Sequence, residues 1–185
     1  MNDSNVQEIF QLCSYLLTYP DKDFIASLSE AEDELEFLTR SSAKDELKWF
    51  FKKAMALEPE ELVAAYIHTF DFGKKTNLYI TYMSNGEQRE RGMDLLFLKN
   101  YYQLYGFEVT DKELPDYLPI MLEFAGQVEV EIMKPIFERY FANIKEIADH
   151  LHPEQNLYGH IMKSIILALK EAGIKKTVRR SDTNV

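Results

Sequence analysis

Cysteine is nearly missing from this chain: Cys13 stands alone among 185 residues. One thiol cannot close an internal disulfide, and its place on a helical apolar stripe reads as an ordinary buried thiol in a reducing compartment. Glycine and proline are also scarce, at seven and six, and most of them sit where one helical pattern stops and the next begins. Their scarcity argues against a sandwich or barrel, which would need many tight turns. No run approaches the roughly 20 apolar residues that span a membrane, and the opening Met-Asn-Asp-Ser-Asn lacks the basic start and apolar stretch of a signal peptide. A soluble cytoplasmic protein, with no direct membrane insertion, is expected.

Basic charge is in deficit as well. Lys and Arg number 21 against 31 Asp and Glu, a formal net charge of −10, which counts against nucleic acid or an anionic membrane surface as a partner. The deficit is steeper in the body, because Lys175, Lys176, Arg179 and Arg180 gather in residues 173–185. A basic or apolar partner fits such a surface. Histidine is sparse too: His68, His150, His152 and His160 fall into no metal or catalytic spacing and read as solvated surface positions. No catalytic residue, metal site or cofactor is expected, and the chain reads as a non-enzyme.

What the chain does have is apolar residues, 46% of the total, at spacings of three and four almost throughout. That period predicts an all-α fold, a compact single-domain bundle of about seven or eight helices over residues 1–172, with 173–185 as a polar basic tail that is disordered and dispensable for folding. Ser4 and Gln7 offer a capping box for a first helix ending at Tyr19-Pro20. Phe24 to Leu38 and Leu47 to Met55 carry the second and third stripes. Pro59 suits a first turn, and the fourth helix ends near Asp71. Helical character returns after Asn85-Gly86 and runs to Tyr105, where Gly106 accepts a left-handed helix end. A further helix starts at Leu118, and Pro135 should kink or divide it. A last one ends at Gly173.

Between the fourth and sixth of these helices the helical period fails and aromatic residues crowd in. Tyr66, Phe70, Phe72, Tyr79 and Tyr82 surround an irregular loop, and tyrosine, with a large apolar face and a polar tip, suits a groove that receives apolar and basic side chains together. The same residues also fit a helical core stripe. Gly86-x-x-x-x-x-Gly92 lacks the Gly-Lys-Ser/Thr ending of a phosphate-binding loop. Its Arg89 and Arg91 fit either a solvated helix start or a groove wall, and Gly92, inside a helix, fits close packing. Leu114-Pro-Asp-Tyr-Leu-Pro119 fits a helix start at which Asp116 caps free N–H groups.

Taken together, Tyr79-Ile-Thr-Tyr82, Gly86-Glu-Gln-Arg-Glu-Arg-Gly92 and Glu113-Leu-Pro-Asp-Tyr-Leu-Pro119 resemble, in order and spacing, the signature of the NarJ-type nitrate reductase assembly chaperones. These are all-helical relatives of the TorD/DmsD-like chaperones for molybdenum oxidoreductases. The resemblance implies a TorD/NarJ-like fold, a nitrate reductase catalytic (alpha) subunit as partner through its N-terminal peptide, and a role in holding that client open for molybdenum cofactor insertion. It places Tyr66, Phe70, Tyr79, Tyr82, Arg89, Arg91, Gly92, Leu114, Pro115, Asp116 and Tyr117 around the client-peptide groove. Tyr117 departs from the histidine that related chaperones for exported clients carry after the aspartate. From the residues alone, a helical adaptor for another basic peptide and a small helical metal hydrolase stay open beside this reading.

Overall fold

Stripes of apolar residues at helical spacing fold into eight α-helices among the described residues: α1 (Asp3–Leu16), α2 (Lys22–Asp33), α3 (Ser42–Ala54), α4 (Pro59–Tyr66), α5 (Gln88–Leu104), α6 (Leu118–Ala125), α7 (Val130–His150) and α8 (Tyr158–Glu171). The computed structural model describes residues 3–73, 75–82, 88–110 and 112–175. Gly86 of the glycine-bounded motif, the Asn85-Gly86 helix start, Lys74 of the polar loop, and residues 176–185 of the basic tail lie outside the described residues. The fold is an all-α bundle with no named strand among the described residues, as the helical period predicts. No described helix is long and apolar enough to cross a membrane.

α8 lies at the centre. Ten of its 14 residues are buried, the pattern of a helix covered on nearly every side, and it packs against α3, α1 and α7. α1 packs in turn on α6 through a polar ladder: Gln7 donates to the Val128 carbonyl at 2.6 Å, Gln11 to Gly126 at 2.8 Å and Ser14 to Pro119 at 2.7 Å. Gln7 is therefore committed across the interface, and the capping box expected from Ser4 and Gln7 does not form; Ser4 Oγ donates to Glu8 instead.

The captured carbonyls of Gly126 and Val128 lie at the break in the second half of the chain. The structure divides α6 from α7 at residues 126–129, while α7 runs unbroken through Pro135. Pro135 is exposed and sits near the helix start, so the ring it adds falls on the solvent side of the helix. Gly106 has φ +82° and ends α5 as its position predicts. At the far end Ile174 is fully buried and donates its N–H to Leu169. The packed core thus reaches two residues past the boundary drawn at 172.

One more expectation changes. His160 is buried, with Nδ1 at 2.7 Å from Glu46 Oε2, and Lys163 reaches the other Glu46 oxygen at 2.6 Å. Burial works to raise the Glu46 carboxyl, but hydrogen bonds and charge from Lys163 and His160 outweigh it and hold the group below its ordinary value. Cys13 is buried as expected, and burial pushes its thiol up to about 12.

Candidate functional site

The irregular stretch after α4 is held to the turn before α6 by backbone and side chain together. Leu118 donates its N–H to the Leu78 carbonyl at 2.8 Å and Ile80 donates to Asp116 at 2.9 Å, an isolated antiparallel pairing of Tyr79 with Tyr117. The Asp116 carboxylate then takes two bonds through Oδ2, from the Thr81 N–H at 3.1 Å and the Thr81 hydroxyl at 2.7 Å. Asn143 of α7 donates to the Ile80 carbonyl and Tyr102 of α5 to the Pro115 carbonyl. Short bonds from three directions fix a segment that has no helix of its own.

Asp116 is fully buried. It is not the cap expected from sequence: Tyr117 stands at the N-cap position of α6 without a side-chain capping bond, and the Asp116 side chain reaches across to Thr81. Arg91 Nη2 approaches Oδ2 at 3.7 Å, and its guanidinium lies 5.4 Å from the Tyr82 ring centre. Asp116 Oδ1 and Arg91 Nε are buried and have no hydrogen-bond partner among the described residues.

Beside this clasp opens a cleft of about 400 Å³. Tyr66 from α4 and Phe70 from the π-helical turn Ile67–Asp71 form its floor, with ring centres 5.0 Å apart. Behind them Tyr158 of α8 packs at 5.7 Å and 5.0 Å from the same two rings. Tyr79 and Tyr117 lie 5.1 Å apart on one wall, and Tyr19 meets Tyr66 edge-on at 5.6 Å. Tyr66 donates to the Leu17 carbonyl and its hydroxyl stands 3.4 Å from that of Tyr117. Asp71 and Glu113 supply carboxylates, and Tyr79 donates to Glu113 Oε2 at 2.5 Å.

Burial is the first cause holding the phenols of Tyr66, Tyr79 and Tyr117 above their ordinary range, with the charge of Glu113 or Asp71 adding to it. All three therefore remain neutral near pH 7. Neutral hydroxyls, ring faces and two carboxylates make a surface suited to a cation that carries apolar bulk.

The structure divides the residues expected at the groove. It brings Tyr66, Phe70, Tyr79 and Tyr117 into the cleft, and puts Asp116, Pro115 and Arg91 in or beside the clasp. Leu114 and Tyr82 are exposed at 41% and 58%. Arg89 and Gly92 are exposed on α5, and apart from its chain neighbours and the backbone of its own helix no described atom lies within 4 Å of where a Gly92 Cβ would stand. The close packing expected for Gly92 is not made by the described residues. Sequence reasoning missed Tyr19, Asp71, Asn77, Leu78 and Glu113 as cleft residues; Tyr19, Asp71 and Glu113 each flank a break in helical period, the signal that could have found them.

A larger groove of about 480 Å³ lies between α1 and the end of α2, lined by Glu8, Leu12, Tyr15, Glu34 and Phe37 among others. None of the sequence-selected residues reaches it, so the tyrosine cleft is the better candidate despite its smaller volume. No group of three or more His, Cys, Asp or Glu is placed to hold a metal ion among the described residues.

Comparison with known proteins adds an independent line. The family model described as nitrate reductase delta subunit matches residues 29–138, a span that contains both paired segments of the clasp and every cleft residue except Tyr19. The probable nitrate reductase molybdenum cofactor assembly chaperone NarJ of Bacillus subtilis (strain 168) is 42% identical over 96% of this chain and 97% of its own. The nitrate reductase molybdenum cofactor assembly chaperone NarJ of Escherichia coli (strain K12) is 31% identical over 63% of this chain and 50% of its own. A nitrate reductase-like protein, NarX of Mycobacterium tuberculosis (strain ATCC 25618 / H37Rv), is 29% identical over 85% of this chain and 24% of its own.

Proposed function

Since the chain belongs to the nitrate reductase delta subunit family, we propose that it is an assembly chaperone for a respiratory nitrate reductase, acting in the cytoplasm. It binds the N-terminal peptide of the catalytic subunit and keeps that subunit open for insertion of its molybdenum cofactor and for complex assembly. The cofactor belongs to the client, and the chaperone's part is binding rather than catalysis.

One observation carries the peptide-binding reading: an acidic, tyrosine-lined cleft opens beside a rigid clasp on a molecule of net charge −10. A basic, aromatic segment would be drawn in by the long-range field and then retained by burial of a few side chains. Tyr66, Phe70, Tyr79 and Tyr117 supply the contact surface. Asp116, Pro115 and Arg91 hold its wall, while the exposed Tyr82, Leu114, Arg89 and Gly92, outside the cleft lining, would meet a longer peptide. Holding the client terminus in this way delays its folding onto the rest of the subunit.

Titration of the full chain with a peptide copying that N-terminus tests the reading. Binding at about 1 μM or tighter, roughly −8 kcal/mol, is expected. A peptide that fails to bind, or co-purification with a different basic client, would replace it with the adaptor reading.

A further inference from the structure

The tyrosine cleft has a composition more selective than a general peptide groove. Tyr19, Tyr66, Tyr79 and Tyr117 present rings to one space, Asp71 and Glu113 present carboxylates to it, and no Lys or Arg stands among its described lining residues. We propose that this cleft is a subsite for one cationic side chain of the client's N-terminal segment, arginine in preference to lysine, an inference that rests on the peptide-binding reading above.

The preference follows from shape. A guanidinium is planar, lies flat on a tyrosine face, and still directs five N–H donors outward in its own plane. Here the ring faces are already arranged: Tyr79 and Tyr117 are 5.1 Å apart and inclined by 34°, while Tyr19 stands edge-on to Tyr66. Tyr79 orients Glu113 by donating to Oε2. Both carboxylates line the same space as the Tyr117 ring. An ammonium would gain the charge attraction but lose the stacking and the in-plane fork. Tyr19 is 48% exposed, so the mouth is open to solvent, and the buried Tyr66 and Phe70 close the floor.

The test uses the full chain and the client N-terminal peptide, with copies in which one arginine at a time becomes citrulline, an isosteric neutral residue, or lysine. One citrulline copy should bind about tenfold more weakly than the parent, with the lysine copy between them. The Asp71→Asn, Glu113→Gln double variant changes two exposed groups, and a melting curve confirms its fold. It should bind the parent weakly and no longer distinguish arginine from citrulline. Citrulline copies that all bind like a tight-binding parent would overturn the subsite while leaving peptide binding intact.

A parent peptide that does not bind at all would instead overturn the peptide-binding reading. N-acetyl-arginine amide, supplied in excess, then decides the subsite alone by NMR. It should shift the ring resonances of Tyr19 and Tyr117 where the citrulline amide does not, and equal silence from both would remove the subsite as well.

Discussion

A carboxylate without solvent contact must find its donors inside the fold, and Asp116 takes two of them from Thr81. Asp116→Ala would strand the Thr81 N–H and hydroxyl and leave Arg91 without its acidic neighbour. A loss of about 2 to 3 kcal/mol in urea unfolding is expected, above the ~1 kcal/mol typical of a lost helix cap. Adding Thr81→Val should cost little more, since both changes break the same bonds. In peptide binding, Tyr117→Ala should cost about 1 to 2 kcal/mol, mainly through faster dissociation. Tyr82→Ala, outside the cleft, should change affinity by less than ~0.5 kcal/mol; equal effects of the two would move the contact surface beyond the cleft. Cys13 gives a pH signature. Its thiol pKa is raised from 9.0 to about 12 by burial, so the fold favours the neutral form. The resulting stability is fully present below the unfolded pKa and is lost as pH rises from there toward 12. Thiol-specific labelling at pH 8 should accordingly be slow in the native protein and fast in denaturant.

The elements around the site differ in how tightly they are held. Helix α4 passes into a π-helical turn at Ile67–Asp71, and Phe72 donates back to the Ile67 carbonyl, so the chain leaves the helix with Phe70 in the floor and Asp71 at the cleft. A wider turn of this kind re-aims side chains that a regular helix would set elsewhere. Helix α5 is held on one side by buried Leu98 and Tyr102 and carries exposed Met93 and Leu96 on the other. Gly92 lies on that open side, so Gly92→Ala should stabilise the protein by about 0.5 to 1 kcal/mol in chemical denaturation. Peptide affinity measured on the same variant separates two roles: unchanged binding means a bystander, and weaker binding in a more stable protein means that the client backbone passes close to Gly92.

For the whole molecule, charge and chain end are the governing features. With a net charge of −10, raising salt should slow association of the cationic peptide while leaving its dissociation rate nearly constant. A salt effect confined to dissociation would contradict long-range steering. Ile174 is fully buried and anchored to Leu169. Ending the chain at Ala172 should therefore lower stability by roughly 2 to 3 kcal/mol, the scale of one buried aliphatic side chain. Ending it at Lys175 should leave the melting temperature unchanged. Equal melting of both truncations would show that Ile174 contributes no net packing.

The sequence by itself determined the helices and their buried faces, because a stripe at spacings of three and four records which side of a helix meets the core. Val6, Ile9, Phe10, Leu47, Phe50, Ile161 and Ile165 were legible in that way, and all are buried. Local chemistry also marked Gly106 as a helix end and the stretch after Asp71 as irregular. Only the tertiary structure decided what depends on partners distant in sequence. Asp116 bonds Thr81, 35 residues away, rather than a neighbouring N–H. Gln7 leaves its local cap for Val128, and the helix breaks at 126–129 rather than at Pro135, where α1 side chains hold the carbonyls of Gly126 and Val128. His160 is buried through Glu46, 114 residues earlier. Four of the eleven sequence-selected residues share the cleft, and Tyr19, Asp71, Asn77, Leu78 and Glu113 complete it. A cleft has no period along the chain; it exists where separate elements approach, and the approach is set by core packing rather than by the residues that line the opening.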